Sequence, residues 1–426
     1  MRSQKAQEET IRLKPGKTSE QMTQILPPHH GKGRIISRLN RWLFRTWWTH
    51  PQSIQNDPLY PLYTFAEALY ARLLAVEQAR LISRSRGLPR PVISIGNLVV
   101  GGTGKTPMAL WMGRQLQAKG LNVTVLSGGY GGAFKGVSKV EVSLDLEKSS
   151  SLYGDEPTLM AGKGLPVWVG KDRFLAGKEA LKRESSPVFL LDDGFQHLGL
   201  QRNLDLVLLD ALNPWGNGLL LPFGPLREPL KNLERADAFI LTRTPSELKK
   251  PPLASFLEGR FPLKPVFSCH HRLTGFRRGL TGEKVPLEAL RTSPVVAFSG
   301  IAKPFDFLRS LQSVGINPYR YHSFPDHHAY QIQDLEMIIK SYEEADARFI
   351  LTTEKDYVRL PPFPTAPVLT AEASIDFQDD TEPFMEFLQE RIGRMLIAAG
   401  PAGSAAEGQW APAGGTTLSM PERRPS

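Results

Sequence analysis

Six consecutive residues, Gly101-Gly102-Thr103-Gly104-Lys105-Thr106, have the types and spacing to grip a phosphate group. Glycines let backbone N–H groups close around phosphate oxygens, and a helix starting at the loop adds positive potential. Lys105 can reach β- and γ-phosphates, and the Thr106 hydroxyl can hold Mg²⁺. The strict pattern places glycine six residues before the lysine, where this chain has Val99, so the loop is a variant whose second half is intact. A nucleotide site of this kind also needs a carboxylate at the end of a neighbouring hydrophobic strand. Val188-Phe189-Leu190-Leu191-Asp192-Asp193 supplies two. Successive strand residues point to opposite faces, so one acid of the pair faces the metal and neighbouring groups hold the other. Gly194-Phe195-Gln196-His197 adds polar groups at the same strand end. The expected metal set is Thr106, Asp192, Asp193 and Gln196.

Other clusters promise less. His327-His328 and His270-His271 invite a zinc reading, but adjacent histidines seldom share one metal and the lone Cys269 does not complete a tetrahedral set. One cysteine also excludes an intramolecular disulfide framework and reads as a reducing compartment. Asp155, ahead of Glu156-Pro157, is by itself a respectable helix N-cap.

The elements that must position these residues are legible as alternation. Val92–Ile95, Val123–Leu126, Val188–Leu191, Leu206–Leu209 and Phe239–Leu241 read as buried strands, and Thr106–Lys119 as a helix. The phosphate loop thus lies between a strand and a helix. A second set, Val295–Phe298, Phe305–Val314, Tyr319–His322, Gln331–Tyr342 and Phe349–Thr352, alternates strand and helix again, with a lobe boundary expected near 245–265. The fold class this implies is α/β: a mostly parallel sheet flanked by helices, P-loop NTPase-like, with a second smaller α/β lobe and ligands at the carboxyl ends of the strands.

The 426 residues allow two or three domains, and 41% hydrophobic with 22% charged residues excludes bulk disorder. The net charge of +9 is unevenly placed: residues 1–90 hold 15 Lys and Arg against 6 Asp and Glu, and the remainder balances at 37 of each. A basic arm on a neutral body favours an anionic membrane surface over nucleic acid. No stretch approaches 18 uncharged apolar residues, so a spanning helix is not expected, and Met1–Lys17 lacks the apolar segment of a signal peptide.

The organisation expected is a loose extension over 1–33, a basic helical arm over 34–90, a P-loop core over 91–245, a second lobe over 246–395 and a Gly/Ala/Pro-rich tail over 396–426. At helical spacing from Arg34 to Trp48, Ile35, Ile36, Leu39, Trp42, Leu43 and Trp47 share one face, while Arg34, Arg38, Arg41 and Arg45 share another. Such a helix suits a bilayer interface or docking on the protein's own core. A second helix, about Leu62–Ile82, is apolar at Leu62, Phe65, Leu69, Leu73 and Val76 and is either core or membrane-facing.

The motifs together resemble a known family. Gly96-Asn97-Leu98 before the phosphate loop and Pro107, Gly154-Asp155-Glu156-Pro157, Asp192-Asp193-Gly194-Phe195-Gln196-His197 and Gly224-Pro225-Leu226-Arg227-Glu228 are similar to the ordered motifs of the tetraacyldisaccharide 4′-kinases. Gly300-Ile301-Ala302 with Pro304, Phe324 with Asp326-His327-His328 and Tyr330, and Thr353-Glu354-Lys355-Asp356 with Arg359 continue the likeness over about residues 60–390. The resemblance implies transfer of the ATP γ-phosphate, with Mg²⁺, to the 4′-hydroxyl of a tetraacyl glucosamine disaccharide 1-phosphate by a peripheral enzyme at the cytoplasmic face of the inner membrane. It implies Asp155 as catalytic base working with His327, Lys105 acting on the transferred phosphate, and Asn97, Tyr130, Arg227 and Glu228 on the substrate side. No protein partner is implied. Ser127-Gly128-Gly129-Tyr130-Gly131 departs from the family's usual Ser-Arg-Gly-Tyr-Gly, so whatever the arginine contributes is absent or supplied elsewhere.

Two other readings compete. A P-loop GTPase or metallochaperone-like switch would need an Asn/Thr-Lys-x-Asp motif, whereas Thr353-Glu354-Lys355-Asp356 has those letters in the wrong spacing. A basic membrane adaptor with a degenerate nucleotide site is disfavoured by the presence of Lys105, Thr106, Asp192 and Asp193 together.

Overall fold

The computed structural model describes residues 46–48 and 51–398, apart from 186, 246, 247, 249 and 362–366. The expected extension over 1–33, the arm helix up to residue 45 and the tail from 399 onward lie outside the described residues. Helices α1 (Pro51–Gln55) and α2 (Tyr60–Ser83) precede the first lobe. That lobe runs β1 (Val92–Asn97), α3 (Lys105–Ala118), β2 (Val123–Ser127), β3 (Val137–Lys139), α4 (Leu146–Tyr153), α5 (Asp155–Gly162), β4 (Val167–Gly170), α6 (Arg173–Ala180), β5 (Val188–Asp192), β6 (Leu204–Asp210), β7 (Ala238–Thr242), α7 (Pro252–Arg260) and β8 (Val266–Ser268). Its eight strands are ordered β3-β4-β2-β5-β1-β6-β7-β8, and only β3 runs antiparallel to its neighbour.

The central strands are continuous apolar runs buried on both faces, as a parallel sheet covered by helices requires. One face packs Ile93, Ile95, Val125, Leu190 and Leu206 against Met108 and Met112 of α3. Register puts Asp192 opposite Ile95, so the acid closing β5 stands beside the strand that feeds the phosphate loop.

The second lobe runs β9 (His270–Arg278), β10 (Lys284–Val285), α8 (Leu287–Arg291), β11 (Val295–Ser299), α9 (Pro304–Ser313), β12 (Arg320–Ser323), α10 (Ile332–Glu344), β13 (Phe349–Thr353), α11 (Glu354–Tyr357) and β14 (Val368–Asp376). Its sheet order is β10-β9-β14-β13-β11-β12, parallel from β14 to β12 and antiparallel at β9 and β10. The change of sheet falls at Cys269, beyond the expected 245–265 stretch, because β8 still pairs with β7.

The expected second lobe also loses its last helix. In α12 (Thr381–Ala398), Phe384, Leu388, Ile392 and Leu396 recur at four-residue spacing and bury into the first lobe's core. Trp111 of α3 stacks on Phe384 with ring centroids 5.9 Å apart. The chain therefore leaves the first lobe through β9 and returns through β14, two antiparallel strands paired side by side.

Candidate active site

The phosphate loop joins β1 to α3, whose N-cap is Gly104. Gly101 and Gly104 adopt φ of 110° and 91°, conformations that a side chain strongly disfavours. Lys105 is anchored from below: its Nζ donates to Asn97 Oδ1 at 3.2 Å and lies 3.4 Å from Asp193 Oδ1. Asn97 is fully buried and also donates to the Val99 carbonyl, so it braces the loop and does not face an acceptor as expected.

The paired acids divide their work. Asp193, with φ of 50°, turns both oxygens to Arg227 Nη1 at 3.0 and 2.9 Å. Burial opposes its ionisation, but Lys105 and Arg227 outweigh that and hold its carboxyl well below the usual range. Asp192 is buried with Oδ1 lacking a hydrogen-bond partner, while Oδ2 accepts from Ser127 Oγ at 3.3 Å. Burial, then Glu156 and Asp193, push its carboxyl up. An orphaned buried carboxylate oxygen among like charges fits a divalent cation, so Asp192 with Thr106 suits Mg²⁺ and Asp193 serves the cations around it. Gln196 was expected on the metal, but its amide donates to the Asn97 carbonyl and accepts from Arg227 Nη1 at 3.2 Å, which makes it a holder of Arg227.

Glu228 is another correction. It is fully buried, and Oε2 accepts from Gln78 at 2.6 Å, Asn232 at 2.6 Å and Arg235 at 2.8 Å, tying α2 to the core instead of meeting substrate. Glu228→Ala should cost about 3 kcal/mol of stability, because it leaves Arg235 without its carboxylate and Gln78 without an acceptor. Denaturant titration measures this, and an unchanged midpoint would return Glu228 to the substrate side.

Asp155 and His327 meet although 172 positions separate them: His327 Nδ1 lies 2.9 Å from Asp155 Oδ2. The N-cap reading fails, since Gly154 is the cap and Asp155 accepts from Ser150 Oγ at 2.7 Å and from the histidine. Burial opposes ionisation of Asp155, but the His327 hydrogen bond, Arg359 at 3.5 Å and Ser150 prevail and hold its carboxyl below the ordinary value. Lys355 Nζ lies 3.3 Å from His327 Nε2. An ammonium only donates, so Nε2 accepts and Nδ1–H points at Asp155. Tyr130, 83% exposed, sets its ring edge-on to His327 with centroids 6.1 Å apart, at the open side of the dyad.

Sequence reasoning assigned Lys355 and Arg359 no task, and α11 explains them. Asp356 is fully buried and accepts from the Gly300 amide, Tyr330 hydroxyl, Thr353 hydroxyl and Arg359. That hub fixes α11 so that Lys355 reaches Glu156 and His327 while Arg359 reaches Asp155. The letters that suggested a guanine motif are thus spent in the second lobe. At the Gly128 departure, an added Cβ would collide with the guanidinium of Arg173, a half-buried side chain whose charge is favoured by the carboxylates of Asp192, Asp193 and Asp172. Arg173 fills the space beside residue 128 with the kind of charge the motif lacks there.

A glycine-rich loop between β1 and α3, a buried acid ending the adjacent parallel strand and a hydrogen-bonded acid–histidine pair define a P-loop phosphotransferase. Comparison with known proteins narrows the class. The model of the tetraacyldisaccharide-1-P 4′-kinase family matches residues 59–393. The tetraacyldisaccharide 4′-kinase of Syntrophobacter fumaroxidans is 40% identical over 370 residues, covering 86% of this chain and 97% of that protein. The one from Geobacter metallireducens is 42% identical over 303 residues, 69% of this chain and 86% of its own length. A crystal structure of LpxK from Aquifex aeolicus, an "apo" form in complex with ATP, superposes with a TM-score of 0.62 at 31% identity, covering 78% of this chain and 98% of that one. The chain belongs to the tetraacyldisaccharide-1-P 4′-kinase family.

Proposed function

We propose that this kinase transfers the γ-phosphoryl group of ATP to the 4′-hydroxyl of a tetraacylated glucosamine disaccharide 1-phosphate at the cytoplasmic face of the inner membrane. The Asp155–His327 hydrogen bond carries the reading, because it joins a proton acceptor from one lobe to an orienting partner from the other. The relatives' shared name supports the acceptor, and the ATP in the solved neighbour supports the donor. Backbone N–H groups of residues 101–106 bind the phosphates, and Lys105 neutralises charge on the transferred group. Asp192 and Thr106 would hold Mg²⁺, which would supply charge neutralisation to the phosphates. The acceptor oxygen bonds to γ-phosphorus as the bond to the β–γ bridging oxygen breaks, and the hydroxyl proton passes to the Asp155 carboxylate. Radiolabel transfer from [γ-³²P]ATP to the disaccharide 1-phosphate in detergent tests this; ATP turnover without labelled lipid defeats it.

The membrane part rests on α2, whose pattern is inverted. Tyr63, Glu67, Tyr70 and Gln78 face the body: Glu67 accepts from the Leu220 amide, and Tyr70 donates to the Arg227 carbonyl. Leu62, Phe65, Leu69, Leu73 and Val76 are each more than half exposed. A stripe of large apolar groups turned to solvent suits the acyl boundary of a bilayer. Trp47 does not join it; the ring is buried and Nε1 donates to the Pro222 carbonyl at 2.7 Å, so the arm's last turn docks on the body. No helix among the described residues is long and apolar enough to cross a membrane. Phe65→Glu with Leu69→Glu and Leu73→Glu should weaken vesicle binding by about a thousandfold, at roughly 1.5 kcal/mol per buried apolar side chain, with ATP affinity unchanged. Co-sedimentation with anionic vesicles checks it, and unaltered partitioning would remove α2 from the membrane interface.

A further inference from the structure

The phosphate loop is gripped on the side away from the paired acids, by residues that neither the transfer chemistry nor the metal uses. Arg243 directly follows β7 and holds φ of 57°, a left-handed conformation unfavourable for arginine. Its guanidinium has three partners from three parts of the molecule, two hydrogen-bond acceptors and one ion-paired carboxylate. Nη2 donates to the Gly102 carbonyl of the loop at 2.6 Å. Nη1 donates to Asp210 Oδ2, at the end of β6, at 2.7 Å. Nε lies 3.1 Å from Asp306 Oδ2, in the first turn of α9 and therefore in the second lobe.

Neighbouring contacts repeat that pattern. Lys303, just before α9, also pairs with Asp210 across the lobes. Ala302 Cβ stands 3.7 Å from where a Cβ of Gly102 would be. His271 of β9 packs its ring on Gly104, close enough to forbid a side chain there. Burial first and Arg243 second lower its pKa to about 4, so no cation is added beside the loop.

We propose that Arg243 is a positioning residue that sets the conformation of the phosphate loop and makes that conformation depend on the placement of the second lobe. A loop containing Gly101, Gly102 and Gly104 has wide conformational freedom, and closing it around phosphate requires that freedom to be given up. Arg243 removes part of it beforehand by fixing one carbonyl. Asp210 orients the guanidinium from within the first lobe, and Asp306 tightens it when α9 is in place. Displacement of the second lobe withdraws Asp306 and Lys303 together, which leaves the guanidinium oriented by Asp210 alone and loosens its hold on Gly102. The lobe that contributes His327 to the acceptor side thereby also tunes ATP affinity.

The inference rests on the proposal that ATP binds this loop, and the experiment separates the two. Full-length protein is titrated with Mg·ATP, and steady-state kinetics follow transfer to the lipid acceptor. Arg243→Ala should raise the ATP dissociation constant about tenfold, as expected for losing one charge-assisted contact that preorganises a site, and should raise KM for ATP more than it lowers kcat. Asp306→Asn should raise KM for ATP about threefold in the native background and not at all in the Arg243→Ala background. Arg243→Lys keeps the charge but cannot span both hydrogen-bond acceptors and the Asp306 carboxylate, so it should recover only part of the affinity. If Arg243→Ala does not fold, Arg243→Lys and Asp306→Asn decide the matter. Unchanged KM for ATP in both, or an Asp306→Asn effect that persists without Arg243, overturns the inference. Lys105→Ala is the control: if it too leaves ATP affinity intact, the reading of the loop itself has failed.

Discussion

Lys105→Ala is expected to lower kcat for phosphoryl transfer by about a hundredfold or more while leaving the thermal midpoint close to that of the native protein. The charge it brings to the transferred phosphoryl grows in value as the transition state forms, so its loss falls on the chemical step and on ATP affinity together. The surroundings explain why the fold should tolerate the change. Asp193 keeps both contacts to Arg227, and Asn97 keeps its bond to the Val99 carbonyl, so neither of the side chains that touch Lys105 is left without a partner. Thr106→Ala should behave similarly through the metal, with partial recovery at high Mg²⁺. Single-turnover transfer and a melting curve measured on the same preparation settle it: near-native turnover removes Lys105 from the site, and a collapsed midpoint with proportional activity loss makes its role structural.

The second large effect concerns the dyad. Asp155→Ala should reduce kcat by 10²–10⁴, the range for removing a positioned general base, with little change in ATP affinity. His327→Ala should cost about 10–100-fold, because the carboxylate remains but loses the Nδ1–H that orients it. Parts of one unit are non-additive, so the double variant should be scarcely slower than Asp155→Ala alone. Arg359 limits the structural damage, since without Asp155 it still pairs with Asp356 at 2.6 Å. Losses that multiply would mean independent action. A large fall in stability at normal kcat would mean that Asp155 serves the fold.

The low-lying Asp155 carboxyl has a consequence for pH. A group whose folded pKa is depressed contributes stability above its unfolded pKa, and that contribution is lost as pH falls through the folded value. Its bonds to His327, Arg359 and Ser150 therefore hold throughout the neutral range and fail only in acid below the ordinary carboxylate pKa. An activity loss nearer neutrality belongs to other groups.

Much of the first lobe was legible because its signals are local. Val92–Asn97, Val188–Asp192 and Ala238–Thr242 are apolar runs too short for helices, and Gly101–Thr106 begins just past Leu98, Val99 and Val100 at the end of the first of them. Strands β9 and β14 were not legible. They form a connecting ribbon, partly exposed on both sides, and His270–Arg278 carries five basic residues of nine, so neither alternation nor an apolar run marks it. Helix α12 has a readable four-residue spacing, but nothing nearby in the chain indicates that it packs on the first lobe.

The sequence by itself determined the phosphate loop, the acids at the end of β5 and the strand–helix alternation, because backbone conformation and burial period depend on residues within a few positions of one another. Tertiary structure alone decided which of those residues touch. It joined Asp155 to His327, turned Asn97, Gln196 and Glu228 inward as braces, gave Asp192 the free oxygen and Asp193 the cations, and set the apolar stripe of α2 outside with its polar groups against the body. A polar side chain's task follows from the donors, acceptors and water left around it after folding. Those are contributed by segments tens to hundreds of positions away, which no local pattern encodes.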